Sequence, residues 1–191
     1  MINVVCGTRS TGRVCTDIAA ALQAEGHQVK IAYARDKAPQ EFGRFAVQIG
    51  TEKDVKYHST KARLFDLSGF GSKKATKEFL EFVEVFDPQI IHLHNIHGYY
   101  IHVKELFDYL KKSGRKVVWT MHDSWAFSGH SPHCEWLDCE KWKTGCGKCP
   151  LKGEYPKAMT DGSKRNRKMK EKIFSGVPNL TVVTQSEWLK A

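Results

Sequence analysis

Short apolar runs alternate with longer segments of helical periodicity along most of this chain, and no other feature constrains its fold as tightly. Such alternation marks a parallel sheet whose strands are joined by crossover helices. Ile2 to Cys6 reads as a first buried strand, after which Val14, Ile18 and Leu22 recur at helical spacing until Gly26. Val29, Ile31 and Tyr33 mark a second strand and Phe45 to Ile49 a third, with loop and short helices expected elsewhere in 36–70. From Lys73 onward, Ala75, Phe79, Phe82, Val83 and Phe86 share one helix face until Asp87-Pro88 ends it. Gln89 to His94 reads as a strand, Tyr99 to Ser113 as a helix closed by Gly114, and Lys116 to Met121 as another strand. Ser163 to Phe174 is a basic helix and Leu180 to Thr184 a last strand. The expected fold is α/β: a Rossmann-like parallel sheet flanked by helices.

Residues 123–162 break this rhythm, being aromatic, rich in cysteine and poor in periodicity. A stretch of that length inside a compact domain serves a function or needs cross-linking of its own. The 191 residues suit a single domain, 1–191, with this stretch as a Cys-rich insertion. A composition of 41% hydrophobic and 27% charged residues excludes global disorder. No apolar run approaches a membrane span, and residues 1–6 lack the basic start and long apolar stretch of a signal peptide. A cytoplasmic chain is therefore expected, with a peripheral place at the inner face of the membrane open to it. The net charge of +9 is concentrated in Lys141 to Lys152 and Lys157 to Lys172. Such a surface suits nucleic acid, anionic lipid or phosphorylated substrates, and a plain solvated face accounts for it equally well.

Open α/β sheets bind ligands beyond the carboxyl ends of their strands, so those ends hold the candidate site. The first strand runs into Gly7-Thr8-Arg9-Ser10-Thr11-Gly12-Arg13 ahead of a helix. Glycine permits a tight turn and close approach to a ligand, and a helix N-terminus offers free N–H groups to an anion. Arg13-Val14 stands where an ATP-binding loop needs Lys-[Ser/Thr], and G-x-G-x-x-G is absent, so neither of those phosphate loops is present. A plain turn capped by Ser10 or Thr11 is the competing reading. The next strand ends in His92-Leu93-His94-Asn95-Ile96-His97, with His92 and His94 on one face. No carboxylate lies among these histidines, which favours polar ligand contacts from His94 and Asn95 over a metal. The following strand delivers His122 and Asp123. An imidazole there suits proton exchange near neutrality, while strand geometry turns adjacent side chains apart and argues against a His122–Asp123 dyad.

Cys134, Cys139, Cys146 and Cys149 are spaced C-x4-C-x6-C-x2-C. The last pair, Cys146-Gly147-Lys148-Cys149, has the form of a zinc knuckle, and a structural Zn2+ would stabilise an insertion with little periodic core. His130 or His133 offers an alternative ligand, and four reduced thiols packed beside Trp136 and Trp142 offer an alternative without metal. Cys6 and Cys15 sit in apolar settings and read as buried small hydrophobes.

Taken together, Gly7 through Ile18, Ile91 through Asn95 and Trp119 through His130 resemble the N-terminal domain of family 4 glycosyltransferases, which have the GT-B fold. Cys139 to Pro150 resembles the insert of the bacterial subgroup that builds capsular, exopolysaccharide or O-antigen glycans, and Val182 to Leu189 resembles its domain-ending segment. The resemblance implies that His122 contacts the transferred sugar. It also implies that Gly7, Thr11, Gly12, Arg13, His94, Asn95 and Asp123 line a cleft for the donor diphosphate or the acceptor. Transfer would retain anomeric configuration through a same-face, substrate-assisted step. A nucleotide-sugar donor is expected only with a C-terminal donor domain, in the same protein or as a split subunit, leaving this chain the acceptor-side half and inactive alone. The implied partner is a glycan or lipid-linked acceptor. Two rival readings are a basic zinc module on nucleic acid, for which no recognised motif is present, and a non-catalytic subunit docking Lys164, Arg165, Arg167, Lys168, Lys170 and Lys172 on anionic lipid.

Overall fold

The computed structural model describes residues 1–190. Helix α1 (Arg9–Ala24) is followed by strands β1 (Ile31–Tyr33) and β2 (Ala46–Gln48), then helices α2 (Glu52–Phe65) and α3 (Lys73–Phe86). Strand β3 (Ile90–Leu93), helix α4 (Val103–Ser113) and strand β4 (Lys116–Met121) come next. After the insertion, with its one-turn helix α5 (Lys141–Thr144), the chain completes α6 (Ser163–Phe174), β5 (Leu180–Thr184) and the short α7 (Glu187–Lys190).

All strand pairs are parallel: β1 with β2, β3 with β4, and β4 with β5. Ile2 joins the two groups by bridging Ala32 on one side and Leu93 on the other. The resulting order is β2, β1, the Ile2 segment, β3, β4, β5, which is the doubly wound Rossmann order with its switch point beside the Ile2 segment. The strand expected over Ile2 to Cys6 shortens here to a single bridge residue. Its amides do serve both neighbours: Ile2 N–H donates to His92 O (2.8 Å) and Asn3 N–H to Ala32 O (3.0 Å).

Each strand faces two layers. On β1, Ile31 and Tyr33 pack with Cys6, Cys15 and Ala19 of the α1 side, while Ala32 joins the larger core on the opposite face. That larger core sets Leu93, Val117 and Trp119 of the sheet against Phe79 and Val83 of α3 and Leu106, Phe107 and Leu110 of α4. The stripe predicted from Lys73 is the one that is buried. Helix α4 begins later than expected, at Val103, because Tyr99 takes a positive φ of 71° and the His102 side chain caps the helix by accepting from Glu105 N–H.

Helix α2 lies in the stretch expected to hold loop and short helices. Only His58 and Ala62 of it are buried, so it carries no apolar stripe, and its start rests on a Thr51–Asp54 capping box. His58 holds the following turn: its Nε2 accepts from Gly69 and Gly71 N–H (3.1 and 3.0 Å), which places the ring proton on Nδ1, toward Ser72 Oγ.

The insertion is fastened to the body at a few buried polar points. Lys170 of α6 is 1% exposed and donates to Trp125 O (2.7 Å) and Ser128 O (3.2 Å). Arg167, paired with Glu171, donates to Trp142 O of the insertion, while the exposed Arg165 ties α6 to the end of α2 through Phe65 O (2.8 Å). These contacts correct the expected basic face of α6. Lys170 faces the core and Arg167 is half-buried, leaving Lys164, Arg165, Lys168 and Lys172 as its exposed cations, with the Arg165 guanidinium held on main-chain oxygens.

Candidate functional site

The turn before α1 is shaped by close packing. Gly7 has a φ of +69° and donates its N–H to Gly12 O (3.1 Å). A Cβ on Gly7 would sit 2.4 Å from Phe42, and one on Gly12 would sit 2.9 Å from Val5 Cγ2 and 3.2 Å from Gly7 N. Both glycines are therefore required by the turn itself. The helix starts at Arg9 with Thr8 as its N-cap, not Ser10 or Thr11. Thr8 makes no side-chain capping bond, its buried Oγ1 has no partner, and no acidic residue occupies the first turn. An uncapped N-terminus of this sort presents free N–H groups and partial positive charge at the sheet's carboxyl edge. Thr11 Oγ1 accepts from Asn3 Nδ2 (3.3 Å), while the exposed Arg13 turns back to Arg9 O (3.2 Å).

Asn3 stitches this turn to the next strand end, because its Oδ1 accepts from Asn95 N–H (3.2 Å). There His92, His94 and His122 form one cluster. The His92 and His94 rings lie 4.1 Å apart, His94 Nδ1 meets His122 Nε2 at 3.0 Å, and His92 Nε2 meets Thr120 Oγ1 at 2.8 Å. Burial, then the neighbouring imidazoles, pushes His94 down to about 3. Burial and the nearby N-terminal ammonium bring His92 to about 4. Burial also lowers His122, against a Gln185 hydrogen bond and Asp123 that favour its charged form. All three rings are thus neutral at pH 7. His94 Nε2 is buried without a partner, and an orphan donor is rarer than an orphan acceptor. That assigns the proton of His94 to Nδ1, donating to His122 Nε2, and makes Nδ1–H of His122 its own donor.

Asp123 pairs with His97 rather than with His122. His97 Nε2 lies 2.8 Å from Asp123 Oδ2, and Asp123 Oδ1 accepts from Trp125 N–H (2.9 Å). Burial raises the Asp123 carboxyl, but the charge and hydrogen bond of His97 and the Trp125 amide outweigh it and hold it below the usual carboxylate range. Tyr155, from the far side of the insertion, brings its hydroxyl to 3.5 Å from His97 Nδ1, and Tyr155 and Tyr99 meet edge to face. Sequence reasoning passed over His97 because it lies beyond the strand, and Tyr155 carried no pattern at all. Thr8 and Asn3 were equally unmarked.

Cys134, Cys139, Cys146 and Cys149 all line one small cavity, about 20 Å³, with His130 on its wall. None is in a disulfide. Burial raises the Cys134 and Cys146 thiols and takes Cys149 to about 11. Among the described residues no three His, Cys, Asp or Glu side chains already stand at metal-ligand spacing.

Residues 11–185 match the family model described as Glycosyltransferase Family 4. The chain belongs to that family. A curated relative of the glycosyltransferase family, "Putative colanic acid biosynthesis glycosyl transferase WcaC" of Escherichia coli (strain K12), is 30% identical over 118 residues. That match covers 59% of this chain and 28% of the relative, so the chain aligns with well under half of that protein's length. No solved structure matches. No helix of the described residues is long and apolar enough to cross a membrane.

Proposed function

We propose that the chain is the acceptor-side half of a GT-B enzyme that moves a sugar from a nucleotide-sugar to a glycan or lipid-linked acceptor. The observation that carries this reading is the uncapped N-terminus of α1, tied through Asn3 to the neutral His94–His122 pair at the same sheet edge. The first element suits a diphosphate, and the second suits the hydroxyls of a sugar, which need directed donors and acceptors rather than charge.

His122 offers Nδ1–H to a sugar oxygen in place of Gln185, whose hydrogen bond it holds in this structure, with His94 behind it fixing the ring. The free N–H groups at Thr8 to Thr11 hold negative charge on the leaving diphosphate. Asp123 is bound by His97 and by Trp125 N–H, which makes it a poor nucleophile and agrees with same-face, retaining transfer. His97, Asp123 and Tyr155 together suit the binding and orientation of the acceptor hydroxyl, whose proton passes to the leaving diphosphate in a same-face transfer. Gly7 and Gly12 shape the turn, Thr11 and Asn95 anchor it through Asn3, and Arg13 flanks it.

The donor domain completes the cleft. Purified alone, the chain is expected to give no turnover with nucleotide-sugars. Joined to the donor domain it transfers sugar, and His122→Ala lowers kcat by at least about 100-fold, the scale of removing one directed donor at a reacting centre. Turnover by the chain alone, or an unimpaired His122→Ala enzyme, refutes this reading.

A second observation favours a membrane-facing acceptor. Leu64, Phe65 and Met159 are exposed side by side, Met159 N–H bonding Arg63 O, with Lys164 and Lys168 on the adjoining helix. Apolar residues ringed by lysine suit an anionic bilayer surface. Sedimentation with phosphatidylglycerol vesicles, but not with phosphatidylcholine vesicles or DNA, is the expected result. Salt-sensitive DNA binding without vesicle binding refutes it.

A further inference from the structure

His130 has no task in the proposed transfer, yet its placement is specific. It is 2% exposed, its Nδ1 lies 2.7 Å from Asp66 Oδ1, and its Nε2 is buried with no partner. A carboxylate accepts from Nδ1–H, so Nε2 is the lone-pair nitrogen of the ring. An imidazole held by a carboxylate on one nitrogen and bare on the other is the usual arrangement behind a metal. Asp66 is itself fixed: its Oδ2 accepts from Gly162 N–H (2.9 Å) and its main-chain oxygen accepts from Asn166. His130 itself lines the cavity that all four cysteines of the insertion line.

That cavity, about 20 Å³, holds one atom-sized guest and no organic ligand. Gly129 N–H donates to Cys146 Sγ (3.2 Å), a contact that favours a thiolate. Cys134 is differently engaged, with its Sγ directed to Ser131 O (3.8 Å). Cys139, Cys146 and Cys149 are only partly buried, and two of them frame the Gly147-Lys148 turn whose carbonyls accept from Lys141 Nζ.

We infer that Cys139, Cys146, Cys149 and His130 form a closed tetrahedral Zn2+ site that locks the insertion against the end of α2. Binding rotates the three thiols inward. Each gives up its proton to solvent, three S–Zn bonds and one N–Zn bond form, and no redox change occurs. The set carries one net negative charge, on the side of the insertion where Arg167 and Lys170 enter. Through the insertion, the metal also fixes the segment that carries Tyr155 to His97. The soft, three-sulfur donor set selects zinc over magnesium or calcium.

The test uses the untagged 191-residue chain purified under reducing, chelator-free conditions. Elemental analysis is expected to find about one zinc per chain. Cobalt added to the stripped protein should give sulfur-to-cobalt charge transfer in the near ultraviolet and the visible bands of tetrahedral coordination. Cys146→Ser, Cys149→Ser and His130→Ala should each lose the metal, Cys134→Ser should keep it, and Asp66→Asn should weaken it roughly 10–100-fold. A wild-type chain with no zinc and no cobalt bands overturns the site, whatever the variants do. Metal that survives His130→Ala but not Cys134→Ser overturns this ligand set. Neither result depends on sugar transfer, so the site and the enzymatic reading fail separately.

Discussion

Replacing Lys170 by methionine tests how the core of this domain accommodates a charge. The ammonium is fully enclosed, 3.5 Å from the Trp125 ring centre and bonded to two main-chain oxygens, and burial depresses its pKa to about 7. An unfolded lysine titrates near 10.4. Between these values the unfolded chain binds more protons than the folded one, so the Lys170 contribution rises with pH, being least favourable below about 7. Integrating over two pH units from 7 to 9 gives a gain of about 2 kcal/mol in wild type that Lys170→Met lacks. The variant also leaves the Trp125 and Ser128 carbonyls without their donor, a cost of about 1–3 kcal/mol that does not vary with pH. Asp66, Asp123, Cys134 and Cys146 act on Lys170 and remain in both proteins, so their own titration cancels to first order in the difference. Urea unfolding of both proteins at pH 7, 8 and 9, with reductant held constant, measures that difference. It should shift by about 2 kcal/mol in favour of wild type from pH 7 to 9. A difference constant to within about 0.5 kcal/mol would refute the depressed pKa and the reasoning built on it.

Three smaller perturbations probe other parts of the fold. Gly12→Ala places a methyl against Val5 and the Gly7 amide and should cost about 1–3 kcal/mol, read as a lowered Tm. Leu106→Ala empties a fully buried position between α4 and the sheet and should cost about 2–5 kcal/mol in denaturant unfolding. Asp123 is held below the usual carboxylate range, so its stabilising effect is present above about pH 4 and disappears as pH falls through its folded value. Asp123→Asn should therefore narrow its gap to wild type on acidification, as followed by circular dichroism.

The sheet and most of its helices were legible because they announce themselves by burial. Phe79 and Val83, or Leu106 and Leu110, repeat at the helical period since one stripe faces the core. Helices were expected in the stretch that holds α2, but its bounds were not legible, because its buried face is little more than a histidine and an alanine and periodicity had nothing to register. The strand ends were legible as places, and His94 and His122 do meet there. Their pairing rules were not. Asp123 turned to His97, four residues past a strand, and Tyr155 arrived from the far end of an insertion without a period. Such contacts join parts of the chain distant in sequence, and local spacing carries no record of them. The basic helix illustrates the opposite error: Lys170 counts as surface charge in composition, and only packing reveals it as a core residue.

The Ile2 bridge has a consequence for how the domain is made. Its partner Ala32 lies nearby in the chain, but Leu93, the other partner, follows ~60 residues later, which at ribosomal rates of roughly 5–20 residues per second is a wait of several seconds. During synthesis the middle of the future sheet therefore stands with one side bare, and β3 and β4 must arrive before it closes. Nascent chains arrested before Leu93 should be captured by chaperones that recognise unpaired strands, and those arrested well beyond β4 should resist proteolysis.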